Sequence, residues 1–174
     1  MELLKGYGYP DAVMGHAPYG NLHFFLTADF SDNEELEKYS RFLDELTALV
    51  VDKYDGSMKA EHGTGINMAP FVQREWGEEI FELFWEVKRT LDPDGILAPD
   101  VKLTHSQDIH LKRFKSFPKV EDEINMCVEC GFCEPICPSC HVTVTPRQRI
   151  VLRREMARQP EGAKVLDQLR EEYQ

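Results

Sequence analysis

Alternating apolar residues predict a β-strand over residues 21–28 of the chain. Leu22, Phe24 and Leu26 would lie on one face of this strand and His23 and Phe25 on the other, because successive side chains of a strand point to opposite sides. No second strand is evident from the pattern. A single strand cannot form a sheet, so the first half of the chain reads as part of a larger sheet-containing domain.

Apolar residues recur at helical spacing in four further segments, which predicts helices near residues 34–54, 71–91, 146–158 and 162–173. The segment Ser31-Asp-Asn-Glu34 before the first helix reads as a capping box. Thr145 and Pro146 begin the third helix, since proline is favoured at the first helical position. One face of the second helix carries four apolar residues, Ile80, Phe84, Val87 and Leu91.

These elements predict the α+β fold class. Residues 1–98 read as the later part of an α+β domain whose earlier strands are missing, and residues 123–174 read as an α-helical module. Residues 99–122 are charged and lack periodicity, so we expect them to link the two. A truncated sheet would expose an unpaired strand edge, and we therefore expect self-association of the chain.

The charge is unevenly distributed and supports two modules. The formal net charge is −11, with 24 acidic and 13 basic residues in 1–126 and seven of each in 127–174. An acidic body argues against a nucleic-acid partner. No apolar run reaches the length of a membrane span, and no secretion signal opens the chain. We expect a cytoplasmic protein, with peripheral association at the inner face of the membrane left open.

Four of the five cysteines follow the pattern C-x2-C-x2-C-x3-C-P, from Cys127 through Cys130 and Cys133 to Cys137. This spacing is typical of bacterial ferredoxins, in which the fourth cysteine binds the second of two clusters, and it predicts a 4Fe–4S cluster. A structural zinc site and a disulfide framework are the alternatives. We interpret Cys140 as a small apolar filler outside the ligand set.

Two histidines and a carboxylate form a second candidate site. His16 and His23 flank a loop, and two imidazoles with the carboxylate of Glu61 would suit a zinc, manganese or iron ion. On spacing alone, a pair of histidines seven residues apart is more often structural. His62 follows Glu61 between glycine turns, where it would serve as a general base or a hydrogen-bond donor, or simply occupy a tight turn.

The motifs together resemble a known family. Gly15-His16 through His23, Ala60-Glu61-His62-Gly63-Thr64-Gly65 and the segment from Lys88 to Pro99 resemble the C-terminal part of FAD-linked oxidases, which include D-lactate, glycolate and D-2-hydroxyglutarate dehydrogenases. Asn67 to Phe71 and Cys127 to Arg154 resemble the branch of this family that carries a fused iron–sulfur module.

The resemblance implies specific roles. Residues equivalent to His16, His23 and Glu61 hold a divalent metal that binds a small 2-hydroxy acid, and His62 takes the hydroxyl proton. A hydride then passes to FAD, which is bound mainly by an N-terminal domain outside this sequence and, in this chain, by Asn67. The clusters pass electrons to an acceptor protein or quinone. The chain by itself is therefore expected to lack dehydrogenase activity.

Two positions depart from the family pattern, because Tyr19 stands where an acidic residue is common and Ile66 where a basic one is common. Two other function classes remain open at this point. One is an electron-transfer subunit that docks on a separate flavoprotein, and the other is a small zinc-binding interaction module. Five arginines after the cysteines read as a solvated helix face or as a dock for an acidic acceptor or anionic membrane: Arg147, Arg149, Arg153, Arg154 and Arg158.

Overall fold

The computed structural model describes residues 1–112, 114 and 117–173. Contacts divide the chain into two units, Met1–Phe114 and Lys115–Gln174. The first unit contains helix α1 (Glu2–Gly6), strands β1 (Val13–His16) and β2 (Asn21–Phe24), and helices α2 (Asn33–Thr47) and α3 (Val72–Leu91). The second contains helices α4 (Asp122–Asn125), α5 (Pro146–Arg158) and α6 (Val165–Tyr173). A small sheet combined with helices confirms the α+β class.

The N-cap of helix α2 lies one residue later than predicted. Asp32 is the N-cap, and its Oδ1 accepts the Glu34 N–H at 2.7 Å. Ser31 instead donates its hydroxyl to Asp29 Oδ1 at 2.6 Å, so the predicted capping box at Ser31 is wrong. An aspartate carboxylate is as good an N-cap as a serine hydroxyl, and the Asp29 turn already uses the serine. The helix continues as a π-helix over Ala48–Lys53.

The core of the first unit lies between α2, the N-terminal segment and the start of α3. Phe42 is fully buried, and its ring makes edge contacts with Tyr9 at 5.1 Å and Phe24 at 5.9 Å between centroids. Such edge-to-face pairs add to the stabilisation that burial of the rings provides. The buried members of this core are Leu4, Tyr9, Tyr39, Phe42, Leu43 and Phe71.

The predicted strand has a partner that the pattern did not reveal. β1 pairs antiparallel with β2, with Val13 opposite Phe24 and His16 opposite Asn21. The two backbones approach so closely that a β-carbon on Gly15 would lie 1.9 Å from the Asn21 carbonyl oxygen. β2 ends at Phe24, earlier than predicted, and every residue of β1 is exposed. Self-association through an edge of this hairpin stays a prediction.

Helix α3 buries a different face from the one its spacing favours. Phe81 is buried, whereas Ile80, Val87 and Leu91 are exposed. The reason is that Phe81 and Trp85 pack on the ring of His105, which stacks on Trp85 at 4.6 Å between centroids. The helix is also kinked, because Gly77 has the non-helical angles φ 77° and ψ 165°.

The division between the units falls inside the predicted linker 99–122, and the first half of that segment is not a free connector. Ile109 and His110 are buried, and His110 lies 5.3 Å from Phe71 between ring centroids. The segment lacks periodicity because it packs through single residues and a short 3-10 turn, Ile109–Leu111. Apolar contact at isolated positions leaves no regular pattern in the sequence.

The cap of α5 is confirmed. Thr145 Oγ1 accepts the Gln148 N–H at 3.3 Å, and Gln148 Oε1 accepts the Thr145 N–H at 2.8 Å. This reciprocal pair satisfies two backbone donors at the helix start. Within the described part of the second unit, all regular elements are helices. None of the helices described is both long and apolar enough to cross a membrane.

Candidate metal centre and cysteine segment

The β1–β2 hairpin brings His16 and His23 to one face. His16 lies opposite Asn21, and Asn21 and His23 share a face of β2 because they are two residues apart. The two histidines are therefore diagonal neighbours across the strand pair. Their ring centroids are 5.4 Å apart with an angle of 83° between the planes. The hairpin geometry thus explains how two histidines seven residues apart converge.

Glu75 of α3 holds the segment that leads to Glu61. Its carboxylate accepts the Ser57 hydroxyl at 2.7 Å, the Met58 N–H at 3.1 Å and the Lys59 ammonium at 3.0 Å. Burial raises the pKa of Glu75, but these hydrogen bonds outweigh burial and the pKa lies below its usual value. The ionised carboxylate therefore fixes the start of the loop that carries Glu61.

Glu61 Oε1 is the point at which the site converges. It lies 3.5 Å from His16 Nε2 and 3.7 Å from His23 Nε2. Two ligands bound at about 2.1 Å in tetrahedral geometry are about 3.4 Å apart, so the three atoms fit around one ion with small shifts. His23 Nε2 is buried and has no hydrogen-bond partner in the described structure, which leaves its lone pair or proton unsatisfied.

Among the described residues, His16, His23 and Glu61 form the one group of three or more His, Cys, Asp or Glu side chains whose ligand atoms lie within 4.8 Å of one another. The predicted ligand set is therefore brought together in space. Imidazole and carboxylate donors suit zinc, manganese or iron, and the set alone does not select among these metals.

His62 lies at the edge of this group. Its Nε2 is 3.3 Å from Glu61 Oε1, and its side chain is 83% exposed. This exposure leaves the imidazole accessible from solvent at the edge of the candidate site. Asn67, by contrast, is exposed in the turn that the Met68 and Ala69 N–H groups close onto the Gly65 carbonyl.

The sequence analysis missed Lys102, which lies in the segment taken for a linker. A β-carbon on Gly63 would be 3.0 Å from Lys102 Nζ, and Gly63 has φ 73°. An ammonium group therefore stands beside the residue that follows His62. A single lysine in a charged segment has no distinguishing pattern in the sequence. That Lys102 lies near the Glu61–His62 loop is evident only from the fold.

The cysteine segment of the second unit is a series of turns. Glu134 N–H donates to Gly131 C=O at 2.9 Å, Cys137 N–H to Glu134 C=O at 3.2 Å, and Cys140 N–H to Cys137 C=O at 3.0 Å. Cys130 and Cys133 are exposed, and the other three cysteines are half-buried. All five are free thiols in this structure.

Thiol chemistry in this segment favours metal binding. Ser139 Oγ lies 3.1 Å from Cys137 Sγ. The Ser139 hydroxyl and backbone N–H groups, with Arg149 nearby, hold the pKa of Cys137 below its usual value. A lower pKa favours the thiolate, which is the form that binds metal. The donor set of four thiols therefore fits an iron–sulfur cluster.

The thiols are not gathered around a single point. No three of the five lie within 4.8 Å of one another, all five being in the described residues. Thiolates bound to one zinc ion at about 2.3 Å in a tetrahedron would be about 3.8 Å apart.

Of the five arginines after the cysteines, Arg158 is exposed, as a solvated face would require, and the other four contact groups of the same unit. Arg154 is buried, and Arg153 donates to Glu121 at 2.8 and 2.9 Å. Arg147 pairs with Glu134 at 3.0 Å, and Arg149 donates to the Val144 carbonyl at 3.3 Å. The residues before α5 fold back on this helix, and their carboxylates and carbonyls accept hydrogen bonds from the arginines.

Comparison with known proteins identifies the class. The family model described as FAD linked oxidases, C-terminal domain, matches residues 1–101. This match covers more than half of the chain, and the chain belongs to that family. It ends before the cysteine segment, so it concerns the unit that contains the histidines and Glu61.

The relatives are named enzymes. The chain is 32% identical over 90 residues to D-lactate dehydrogenase [cytochrome] 1, mitochondrial, of Saccharomyces cerevisiae, covering 52% of this chain and 15% of that protein. It is 31% identical over 103 residues to D-2-hydroxyglutarate dehydrogenase of Stutzerimonas stutzeri (57% and 22%), and 29% identical over 98 residues to glycolate oxidase subunit GlcD of Bacillus subtilis (56% and 21%). The matched part thus spans 15 to 22% of these relatives' length. No solved structure matches the chain.

Proposed function

We propose that the chain is part of an FAD-dependent dehydrogenase that oxidises a D-2-hydroxy acid to the 2-oxo acid and passes the electrons through 4Fe–4S clusters. D-Lactate, glycolate and D-2-hydroxyglutarate are the substrate candidates, because the relatives are named for them. The observation that carries the proposal is the convergence of His16 Nε2 and His23 Nε2 on Glu61 Oε1.

His16, His23 and Glu61 would hold the divalent metal. When bound, the metal would polarise the substrate hydroxyl and FAD would accept the hydride from C2. His62 Nε2 would take the hydroxyl proton. In the structure this nitrogen lies 3.3 Å from Glu61 Oε1. If Glu61 Oε1 binds the metal, it would no longer compete with the substrate hydroxyl for His62 Nε2.

Lys102 supports an acidic substrate. Its ammonium stands beside Gly63 and forms no ion pair within the described residues. It would attract the carboxylate of a 2-hydroxy acid to the loop that carries Glu61 and His62. This role would offset the loss of a basic residue where Ile66 stands.

The exposed apolar face of α3 supports a larger parent protein. Leu83, Val87 and Leu91 lie on one surface of this helix and are 50%, 51% and 76% exposed. Large exposed apolar patches commonly mark contacts with other protein. The FAD would be bound mainly by the rest of the dehydrogenase, with Asn67 contributing from this chain.

Cys127, Cys130, Cys133 and Cys137 would bind the clusters, and electrons would leave to an acceptor protein or quinone. The supporting observations are four free thiols in consecutive turns and a favoured thiolate at Cys137. We further propose a cytoplasmic location, with contact at the inner face of the membrane if the acceptor is a quinone.

The test uses the dehydrogenase that contains this chain, assayed with the three acids and an artificial electron acceptor. His62→Asn should lower kcat by about 10²–10⁴-fold with metal content unchanged, which is the usual contribution of a general base. His16→Ala should remove the metal and the activity while flavin absorbance persists.

The matched control is His141→Asn, an exposed histidine of the other unit. It should leave kcat and metal content unchanged. Full turnover by His16→Ala, or oxidation of none of the three acids by the wild-type enzyme, would contradict the proposed function.

A further inference from the structure

Arg154 is a buried charge within the cysteine-containing unit. It is 3% exposed, whereas its neighbour Arg153 pairs with Glu121 at the surface. Arg154 Nη1 contacts Glu129 Oε1 at 2.9 Å, and the two side chains are 4% and 7% exposed. Burial of a charge is costly unless it is paired and hydrogen-bonded, so this position depends on its partners.

Those partners belong to the first cysteine turn. Arg154 Nη2 donates to the Cys127 carbonyl at 2.8 Å and to the Ile124 carbonyl at 3.0 Å. The Ile124 carbonyl also accepts the Cys127 N–H at 2.9 Å. Glu129 lies between Cys127 and Cys130. The Arg154 guanidinium therefore contacts Ile124, the first cysteine of the turn and the Glu129 carboxylate at the same time.

The backbone of this turn includes one residue in a sparsely populated conformation. Glu129 has φ 58°, in the left-handed region that non-glycine residues rarely occupy. The planar guanidinium offers donors in a fixed fork, which suits several acceptors at once. The Phe117 ring lies 4.9 Å from the guanidinium carbon, so it covers one face of the fork.

The same helix holds the next part of the segment. Glu134, between Cys133 and Cys137, accepts the Thr145 hydroxyl at 2.7 Å and pairs with Arg147 Nε at 3.0 Å. These contacts keep the pKa of Glu134 below its usual value. A β-carbon on Gly131 would lie 3.2 Å from Glu134 Oε2, so the loop packs closely here. Helix α5 thus contacts the cysteine segment at two places, through Arg147 to Glu134 and through Arg154 to Glu129.

We propose that Arg154 is a positioning residue that holds the Cys127–Cys130 turn in its ligand-binding shape before any cluster is present. The inference rests on the proposed cluster site and assigns the arginine a part in assembling it. A preformed turn loses less conformational freedom when the cluster arrives, which favours uptake. Arg154 would act through the Ile124 and Cys127 backbone carbonyls and through Glu129, which makes it a positioning residue.

The experiment measures amide hydrogen exchange of the iron-free protein over residues 124–131 by mass spectrometry. Arg154→Lys keeps the charge and loses the fork, and Glu129→Gln keeps the side-chain length and loses the charge. Both should speed exchange in this peptide by about tenfold or more, because charged hydrogen bonds to buried groups are among the stronger ones. Exchange in residues 148–158 of α5 should stay slow, which separates local loosening from failure to fold.

The matched control is Arg153→Lys, which alters the adjacent arginine and its surface pair with Glu121. It should leave exchange of residues 124–131 unchanged. Two results would overturn the proposal: exchange of this peptide in the iron-free wild type as fast as in the unfolded chain, or equal effects of Arg154→Lys and Arg153→Lys.

Anaerobic reconstitution with iron and sulfide then gives a separate readout. Arg154→Lys should take up less iron per chain than Arg153→Lys at the same limiting iron concentration. Failure of the wild type to bind iron would count against the proposed cluster, while the exchange difference between the two arginine variants would still decide the role of Arg154.

Discussion

His23 Nε2 and Glu61 Oε1 lie 3.7 Å apart, and the histidine nitrogen is buried without a hydrogen-bond partner in the described structure. The separation is longer than a hydrogen bond and close to the spacing of two ligands on one ion. This spacing supports the proposal that a cation lies between the two side chains, which gain little from direct contact at this distance.

The first prediction is that this chain binds Mn²⁺ through the three ligands. Mn²⁺ prefers imidazole and carboxylate to thiolate, so the cysteines compete weakly. Glu61→Gln should weaken binding by more than the 10–100-fold that is typical for loss of a residue supporting a ligand. Titration followed by the EPR signal of free Mn²⁺ measures it. His141→Asn serves as the control, and equal affinities for Glu61→Gln and wild type would refute the site.

The second prediction concerns Glu75, which supports the loop without joining the ligand group. Glu75→Ala should weaken Mn²⁺ binding by about 10–100-fold, because Ser57, Met58 and Lys59 lose their common acceptor. Glu78→Ala changes an exposed carboxylate on the same helix and should have no effect. If both variants bind Mn²⁺ alike, the loop does not depend on Glu75.

Glu75 also gives a pH dependence. Its pKa in the folded chain is lower than the usual 4.5 of a glutamate, so the unfolded chain binds more protons as the pH falls below that value. The stabilisation is present above pH 4.5 and is lost as the pH falls through the lower folded value. Urea unfolding between pH 6 and 3 should show a shallower decline for Glu75→Ala than for Glu78→Ala. Parallel curves would exclude a contribution of Glu75.

The third prediction concerns His110, which is buried between the rings of Tyr39 and Phe71 and has neither ring nitrogen hydrogen-bonded in the described structure. Burial lowers its pKa, which the acidic Asp44 and Asp108 offset only in part. Because the folded pKa is below the usual 6.5, stability is complete above that pH and falls as the unfolded chain protonates below it.

Thermal unfolding of wild type and His110→Leu at pH 7 and pH 5.5 tests this. The melting temperature of the wild type should drop more between the two pH values than that of the variant, since leucine has no proton to bind. His105→Leu provides a comparison at another ring-packed histidine. A drop of the same size in wild type and His110→Leu would show that His110 does not titrate on unfolding.

The fourth prediction is that Cys140 is not a cluster ligand. After anaerobic reconstitution, Cys140→Ser should keep the iron content and visible spectrum of the wild type, whereas Cys130→Ser should lose both. Cys140 is half-buried and its N–H is bonded to the Cys137 carbonyl, which fits a packing role. Loss of the cluster in Cys140→Ser would make it a ligand and would end the two-cluster assignment.

Helices were predictable because their signals are local. The bounds of α5 and its Thr145 cap depend on residues within one or two helical turns of each other. The same holds for the approximate bounds of α2 and α3. The strand β1 was not predictable, because Val13-Met-Gly-His16 alternates weakly and its pairing depends on Gly15. Strand pairing is a contact between segments and leaves little trace in either one alone.

The candidate site divides in the same way. The convergence of His16, His23 and Glu61 was predictable from motifs that resemble a family, whereas their role as ligands and that of the cysteines stay predictions. Lys102, Glu75 and Arg154 were not, because each acts on a segment at least 16 residues away in sequence. The burial of Arg154 runs against the hydrophilic character of α5, so tertiary contacts decide it.

The kink at Gly77 divides helix α3 into two pieces. Glu75, on the N-terminal side, anchors the loop that leads to Glu61, and the exposed Leu83 and Val87 lie beyond the break. A spectroscopic probe attached by way of a cysteine introduced at residue 83, with the native thiols protected, would report on whatever approaches that surface. Comparison of its signal with and without Mn²⁺ would then reveal whether the two pieces communicate.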